Sequence, residues 1–278
     1  MGTFTEELSF GPYKSGIWDE PPAYRTILLD AFDPAVLFAA GEQGFWYDPS
    51  DLSTVWQDSA RTVPGAVDQP VGCIDDKSGR GNNATQATAA SRPMLRQSGS
   101  LYYLEFDGID DGLATGIVTP GIDEMQIISG VRKLSDAARG MVVEHSLSAA
   151  NPGCYLLEAP STATPDFRYG SGGTLPFTGV IQATGYAAPT TRVVTGLGDI
   201  SARLAAIRVD GVQFTGLLND QGTGNYSAQN IHIGQRGTGG FRLNGYIYGL
   251  LVRFGANLVT DQLTEIEQWM AGKTGVTL

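Results

Sequence analysis

Glycine is the residue that most constrains how this chain folds. It occurs 37 times in 278 residues, roughly twice the average usage, which favours tight turns and close strand contacts over long helices. Short apolar segments lie between clusters of Gly, Asp, Asn and Pro, and nine of them read as strands: residues 44–47, 101–106, 125–132, 140–144, 154–158, 192–197, 204–209, 230–233 and 245–253. Their lengths and spacing predict an all-β protein, a two-sheet antiparallel β-sandwich.

Two local patterns are more specific. Asp210 and Gly211 stand between alternating apolar residues, the pattern of a hairpin whose two central turn residues both need positive φ. Near the end of the sequence, Thr260 is placed to cap one short helix, and Gly272 is placed to stop it. The apolar face of this helix would consist of Leu263, Ile266, Trp269 and Met270.

Composition and charge argue against several classes of function. The formal net charge of −11 would repel phosphate backbones, so we expect no nucleic-acid partner. No segment approaches the roughly 18 unbroken apolar residues of a membrane span, and no basic and apolar leader follows Met1, so we expect neither membrane insertion nor a signal peptide. Cys73 and Cys154 are too few for a disulfide framework and are expected to be buried thiols.

The first 32 residues differ from the rest. They combine scattered aromatic residues with Pro12, Pro21 and Pro22, which suits an extended arm better than a strand or a helix. The arm either lies across its own sandwich or docks the protein to a larger assembly. We therefore divide the chain into an arm, residues 1–32, and a sandwich, residues 33–278.

Residues 106–111 read Phe-Asp-Gly-Ile-Asp-Asp and follow an apolar strand. This segment resembles the strand and turn of concanavalin A-like, laminin-G-like jelly rolls. Residues 209–212, 231–234 and 241–250 resemble the closing strands of the same superfamily, in the same order. The resemblance implies the same sandwich fold that the strand spacing predicts.

A closer resemblance covers much of residues 32–278. Residues 46–54, 76–88 and 220–226 look like a module that recurs in structural proteins of phages and prophages. This resemblance implies a virion protein that is made in the host cytoplasm, and it says little about ligand or mechanism. The arm lies outside the resemblance.

Catalytic motifs are mostly excluded by their context. The glycine pattern of residues 79–84 follows polar residues instead of a buried strand, and Gly272-Lys273-Thr274 ends a helix instead of opening one, so neither is a phosphate loop. Glu105 and Asp107 partly resemble the carboxylate strand of concanavalin-like glycoside hydrolases. Asp110 stands where that pattern has Glu, however, and the glycines around it indicate a turn. We therefore expect no enzyme.

Hard oxygen ligands occur in glycine-rich loops. The candidate calcium ligands are Asp76, Asn82, Asp107, Asp110 and Asp111, with Asn83 beside them. Relatives in the superfamily often carry calcium near such loops, so the resemblance implies Ca²⁺ here. The alternative is that these side chains satisfy backbone amides within turns.

Lectin-like sandwiches hold sugars with exposed aromatic rings and loop amides. Four tyrosines in or beside glycine-rich segments are candidates for carbohydrate contacts: Tyr102, Tyr169, Tyr186 and Tyr226. Tyrosine is also common in strands, so packing is the alternative for each of them.

Three functions are compatible with these features. The first is a receptor-binding module at the tail or baseplate of a phage that recognises a host-surface glycan; the second is a purely structural decoration protein of capsid or tail. The third is a polysaccharide depolymerase that uses Glu105 and Asp107. In a virion we expect contacts with other virion proteins through the arm, and a homo-oligomer, preferably a trimer, that multiplies weak sugar contacts.

Overall fold

The computed structural model describes residues 32–145, 152–159, 166–215 and 220–278. The expected arm, residues 1–32, lies outside these ranges except for its last residue. The described part is an antiparallel β-sandwich of two sheets with one C-terminal α-helix, which confirms the predicted fold class.

Seventeen strands make up the described sandwich: β1 (Gln43–Tyr47), β2 (Val55–Trp56), β3 (Cys73–Ile74), β4 (Ala84–Thr85), β5 (Met94–Ser98), β6 (Leu101–Asp107), β7 (Leu113–Val118), β8 (Glu124–Lys133), β9 (Gly140–His145), β10 (Cys154–Ala159), β11 (Phe167–Gly172), β12 (Gly179–Ala183), β13 (Thr190–Asp199), β14 (Leu204–Val209), β15 (Val212–Thr215), β16 (Gln229–Ile233) and β17 (Asn244–Phe254). The helix α1 covers Thr260–Thr274, and 3-10 turns occupy Pro34–Phe38, Leu52–Thr54 and Ala89–Ser91.

The strands form two sheets of different size. The eight-stranded sheet has the order β15-β14-β13-β8-β17-β6-β5, with β1 also paired to β17. The nine-stranded sheet has the order β12-β11-β10-β9-β16-β7-β4-β3-β2. Strands that are neighbours in these sheets are often distant in sequence, so the sandwich forms only when long-range pairings close.

The core lies between the two sheets because alternate residues of a strand point to opposite faces. Phe45, Phe106 and Phe254 from one sheet meet Tyr155 and Phe167 from the other in one continuous buried cluster. Cys73 and Cys154 are buried free thiols, as the sequence predicts.

The predicted hairpin is confirmed. Strands β14 and β15 pair antiparallel with Val209 opposite Val212. The two turn residues, Asp210 and Gly211, have φ of 49° and 79°. Asp210 also accepts hydrogen bonds from the Val193 amide and the Arg192 guanidinium, which tie the turn to β13.

Helix α1 lies on the outer face of the eight-stranded sheet and buries Leu263, Ile266 and Met270. The prediction that Gly272 stops the helix is wrong, because the helix continues to Thr274 and ends at Gly275, whose φ of 72° is left-handed. None of the helices in the described ranges is both long and apolar enough to cross a bilayer.

A buried ion pair fixes this helix to the sheet. Glu267 of α1 is 1% exposed and accepts a hydrogen bond of 2.8 Å from Thr195 Oγ1. Arg208 Nε and Nη2 donate to its two carboxylate oxygens at 2.8 and 2.9 Å. A bidentate pair of this kind offsets the cost of burying the carboxylate.

We predict that Arg208→Ala lowers the free energy of unfolding by about 3–5 kcal/mol, because it leaves the buried Glu267 carboxylate without its guanidinium. Denaturant unfolding measures this change. Replacing both partners, as Arg208→Met with Glu267→Met, should cost less than the single change. The more exposed Arg96, which pairs with Asp68 and Glu105, should cost only about 0–1 kcal/mol when changed to Ala. A single change at Arg208 as mild as Arg96→Ala would contradict the prediction.

Candidate functional site: a groove lined by arginines

Charged side chains lie on the outer face of the nine-stranded sheet, on strands whose inner face belongs to the core. In β10, Tyr155 and Leu157 belong to the core cluster, so the alternating residues Leu156 and Glu158 point to the outer face. Leu156 pairs with Glu144 of β9 on one side and with Gly170 of β11 on the other. Glu158 pairs with Arg168 of β11.

Glu158 is fully buried and lies between two arginines. Arg139 donates from Nη2 to Glu158 Oε1 at 2.7 Å, and its Nε lies 2.6 Å from Oε2. Arg168 forms a second ion pair with the same carboxylate from the neighbouring strand. The side chains of Arg139 and Arg168 are 31% and 24% exposed, while the Glu158 side chain is 0% exposed. Solvent therefore meets the arginines and not the glutamate.

Glu144 repeats this arrangement one strand away. It is fully buried, and Arg236 Nε lies 3.0 and 3.1 Å from its two carboxylate oxygens. Arg236 Nη2 approaches Oε1 at 2.9 Å. His232 of β16 lies opposite Glu144 of β9 in the strand pairing. Burial lowers the pKa of the His232 imidazole, so the ring is neutral at pH 7.

The loop from Gly234 to Leu243 holds Arg236 in place. The Gly234 amide donates to Val142 O, and the Met141 amide donates to Phe241 O, so both ends of the loop are bonded to β9. Phe241 adopts a φ of 45°, and its ring centroid lies 4.5 Å from the Arg236 guanidinium and 5.0 Å from that of Arg139. This ring thus separates two of the three arginines.

Gly170 of β11 has no side chain to fill the space near these arginines. A Cβ atom on Gly170 would lie 3.4 Å from Phe177, 3.5 Å from Val180 and 3.6 Å from Leu156, which surround it. Above it is a groove of about 280 Å³. We call it the arginine groove, defined by the residues that line it: Arg139, Leu156, Arg168, Phe177, Val180 and Arg236.

The charge of the arginine groove follows from the arrangement of exposed arginines above buried glutamates. Three guanidinium groups stand over two buried carboxylates, so the site keeps a positive charge in a protein whose net charge is −11. Burial raises the pKa of Glu158 to about 7, while the Arg139 charge opposes this shift. Each carboxylate restricts the orientation of the planar guanidinium groups that it contacts.

The tyrosines predicted to contact sugar are not in this groove. The predictions for Tyr169 and Tyr226 are wrong, because both side chains are buried in the core at 0% and 2% exposure. Tyr186 is half-buried and packs against Phe167 and Phe214. Tyr102 is half-buried on β6 of the other sheet, opposite Gln97. Sugar contacts by Tyr102 and Tyr186 stay predictions.

Asp76 and Asn82, two of the candidate calcium ligands, organise a turn. Asp76 Oδ1 accepts from the amides of Trp46 and Ser78, and Oδ2 accepts from the Asn82 amide and the Ser78 hydroxyl. Asn82 Nδ2 donates to Gly44 O, and the neighbouring Asn83 accepts from the Asp76 amide. Four hydrogen-bond donors therefore occupy the Asp76 carboxylate. Asp76 thus satisfies polar groups within a turn, which is the alternative to calcium binding stated above.

The other three candidate ligands do lie together. One carboxylate oxygen from each of Asp107, Asp110 and Asp111 falls within a cluster no wider than 4.8 Å. Asp111 accepts from the Asp107 amide, and Asp107 accepts from the amides of Ile109 and Asp110. These residues thus shape the predicted turn, and calcium binding by them stays a prediction.

The carboxylates proposed for a depolymerase are engaged elsewhere. Glu105 lies 2.6 Å from Arg96 Nε on the outer face of the eight-stranded sheet. Asp107 accepts the turn amides that follow it, as described above. The two residues alternate along β6 and so share a face, but they do not line the arginine groove.

The residues of the arginine groove were not predicted from the sequence. A signal was present, since Glu144 and Glu158 interrupt strands that are otherwise apolar. A charged residue at the outward position of a fully buried strand requires a partner of opposite sign. That partner comes from Arg139, Arg168 and Arg236, which the sequence places in other segments.

Comparison with known proteins identifies a shared fold. No family model matches the chain, and no curated protein matches it. Among solved structures, the receptor-binding domain of botulinum neurotoxin type G is 11% identical with a TM-score of 0.50, over 72% of this chain and 48% of the toxin domain. An arabinofuranosidase complexed with arabinofuranosyl-alpha-1,2-xylobiose is 13% identical with a TM-score of 0.53, over 87% and 65% of the two chains.

A sialidase of Trypanosoma rangeli is 12% identical with a TM-score of 0.52, over 86% of this chain and 34% of the sialidase. The chain thus spans between about a third and two thirds of these three structures. At such low identity the likeness establishes the β-sandwich and leaves the activity to be argued from the site.

The Asp107 cluster generates a prediction about pH. Burial, together with the nearby charges of Asp107 and Asp110, raises the pKa of Asp111 from 3.8 to about 6. A folded-state pKa above the unfolded value means that ionisation of Asp111 opposes folding. The contribution of Asp111 to the free energy of unfolding should therefore fall as pH rises from about 4 to 6, by up to about 3 kcal/mol.

Asp111→Asn keeps an acceptor for the Asp107 amide and removes the charge, so its stability should lack this fall. Denaturant titrations of both proteins from pH 4 to pH 7 measure the difference. Parallel pH profiles for the two proteins would contradict the assignment.

Proposed function

We propose that this protein is an attachment module of a phage particle, one that binds a host-surface glycan in the arginine groove without cleaving it. The observation that carries the proposal is the composition of the groove. Apolar side chains, Leu156, Phe177 and Val180, form its walls beside the N–H donors of three arginines. Sugars present both apolar ring faces and hydroxyl groups, so a site of this mixed character suits them.

The compared structures support recognition of surfaces by this fold. One is named as the receptor-binding domain of a toxin, and another holds an arabinose-containing xylooligosaccharide. Those properties belong to those proteins, and they support the proposal by fold analogy only.

The charge arrangement favours binding over hydrolysis. Glycoside hydrolases need one carboxyl group that gives a proton to the sugar and a second carboxylate that acts on the other side. Glu144 and Glu158 are the two carboxylates beneath the arginine groove, and both are covered by arginines that bind their oxygens. They are placed to hold guanidinium groups, so we assign them no catalytic role.

The virion setting rests on the sequence resemblance of residues 46–54, 76–88 and 220–226 to modules of phage structural proteins. Within this setting, residues 1–32 would dock the protein to other virion proteins. A trimer or another cyclic assembly would present several grooves to one surface, which raises avidity without new contacts. The alternative in the same setting is a decoration protein whose outer faces contact other virion subunits.

A substitution at Gly170 tests the role of the groove. Gly170→Val adds carbon atoms between Leu156, Phe177 and Val180, so we expect it to reduce binding to host cells at least about tenfold. Gly116→Val is the matched control, because Gly116 lies on β7 of the same sheet and a Cβ there would meet nothing within 4 Å. Labelled protein and flow cytometry of host cells measure the effect. Equal loss in both variants, or none in either, would contradict the assignment of binding to the groove.

The position of the protein in intact particles separates attachment from decoration. Attachment requires an exposed position, so antibodies against the sandwich should label the distal tail or baseplate in electron micrographs and block adsorption to host cells. Labelling confined to sites between capsid subunits, with normal adsorption, would favour the decoration protein instead. The absence of the protein from purified particles would refute the virion setting.

A further inference from the structure

We infer that the arginine groove selects acidic glycans, with the guanidinium groups of Arg139, Arg168 and Arg236 binding an oxyanion on the sugar. This inference rests on the proposed function and names its ligand class. The oxyanion is a carboxylate or a sulfate ester, both of which accept paired N–H donors from a planar guanidinium.

The first support is the order of the layers. Both glutamates have 0% side-chain exposure, whereas the arginines above them are 13–31% exposed. A ligand that enters the groove therefore meets N–H donors before it meets any carboxylate oxygen. Guanidinium N–H donors bind an anion more strongly than they bind a neutral hydroxyl group.

The second support is the charge balance. Partial protonation of Glu158, whose pKa is about 7, adds positive charge to the groove. With both carboxylates ionised, the three guanidinium groups still leave one uncompensated positive charge among these five described side chains. His232, the imidazole that flanks Glu144, is neutral at pH 7 and does not alter this balance. One oxyanion would bring the local charge to zero. The remaining surface of a chain with net charge −11 repels an acidic polymer, so the groove is where such a polymer would be held.

The third support is the fit of the walls to a charged sugar. Leu156 and Phe177 line the groove beside the arginines. Val180 of β12 also lines it and is 37% exposed. An apolar ring face can therefore pack against these side chains while its acidic substituent reaches the arginines.

Matched pairs of polymers test the inference. We would immobilise polygalacturonate, alginate and hyaluronate, each beside its carboxyl-reduced neutral form, and dextran sulfate beside dextran. Binding by the full-length protein should favour the acidic member of at least one pair about tenfold or more, and rising salt concentration should weaken it. Preference within the first three pairs identifies a carboxylate, and preference within the last pair identifies a sulfate ester.

Two substitutions should shift that binding in opposite directions. Arg168→Gln removes one guanidinium and leaves Glu158 paired with Arg139, so affinity for the acidic polymer should fall about tenfold. Glu158→Gln removes a negative charge and keeps one side-chain oxygen that accepts a hydrogen bond from the arginines, so affinity should rise about two- to fivefold. A rise in affinity cannot come from misfolding. Arg96→Gln, on the other sheet, is the matched control and should leave binding unchanged.

The failures are distinguishable. Equal binding of acidic and neutral members, insensitive to salt, would overturn the inference and leave glycan attachment standing. Binding to host cells that is weakened neither by carboxyl reduction nor by desulfation of their glycans would do the same. No binding to any polymer or to host cells would overturn both the inference and the proposed function. Unchanged affinity in Arg168→Gln and Glu158→Gln would remove the arginine groove as the recognition site.

Discussion

The alternation of side chains along a strand is the constraint on which the rest of this structure depends. Because consecutive residues point to opposite faces, β10 places Tyr155 and Leu157 in the core, whereas Leu156 lines the arginine groove and Glu158 lies beneath it. The same strand thus builds the core on one side and the proposed binding site on the other. A register shift of one residue would exchange the two sets and destroy both surfaces together.

Buried charge then decides what the outer face becomes. A carboxylate without solvent contact is stable in a protein only beside opposite charge. Glu144 and Glu158 meet this requirement through arginines drawn from β11 and from the segments next to β9 and β17. The glutamates hold the arginines in fixed orientations, so the donors that face solvent lose little conformational entropy when a ligand binds. Stability and preorganisation come from the same ion pairs.

Much of the fold could be predicted from the sequence, and little of the site. All nine segments named as strands are strands, and the hairpin at Asp210 and Gly211 forms as its turn chemistry requires. The sequence analysis did not identify β11 and β12 as strands, because they contain glycines and only a short alternation of apolar and polar residues. These two strands supply Arg168 and Val180 to the groove. Tyr169 was misassigned for the same reason, since a tyrosine beside glycine reads as a loop residue when its strand is not recognised. Only the pairing of distant strands brings Arg139, Arg168 and Arg236 together, and local sequence carries no record of that pairing.

The loop that carries Arg236 and Phe241 leads directly into β17, the eleven-residue strand that pairs with β1, β6 and β8. A polymer held at this loop would transmit tension into the middle of the opposite sheet and not into a peripheral turn. Rupture would then require several ladder hydrogen bonds to shear at the same time, a geometry that resists mechanical load far better than bonds that open one after another. Resistance to pulling at this loop would then follow from the order in which the chain visits its two sheets.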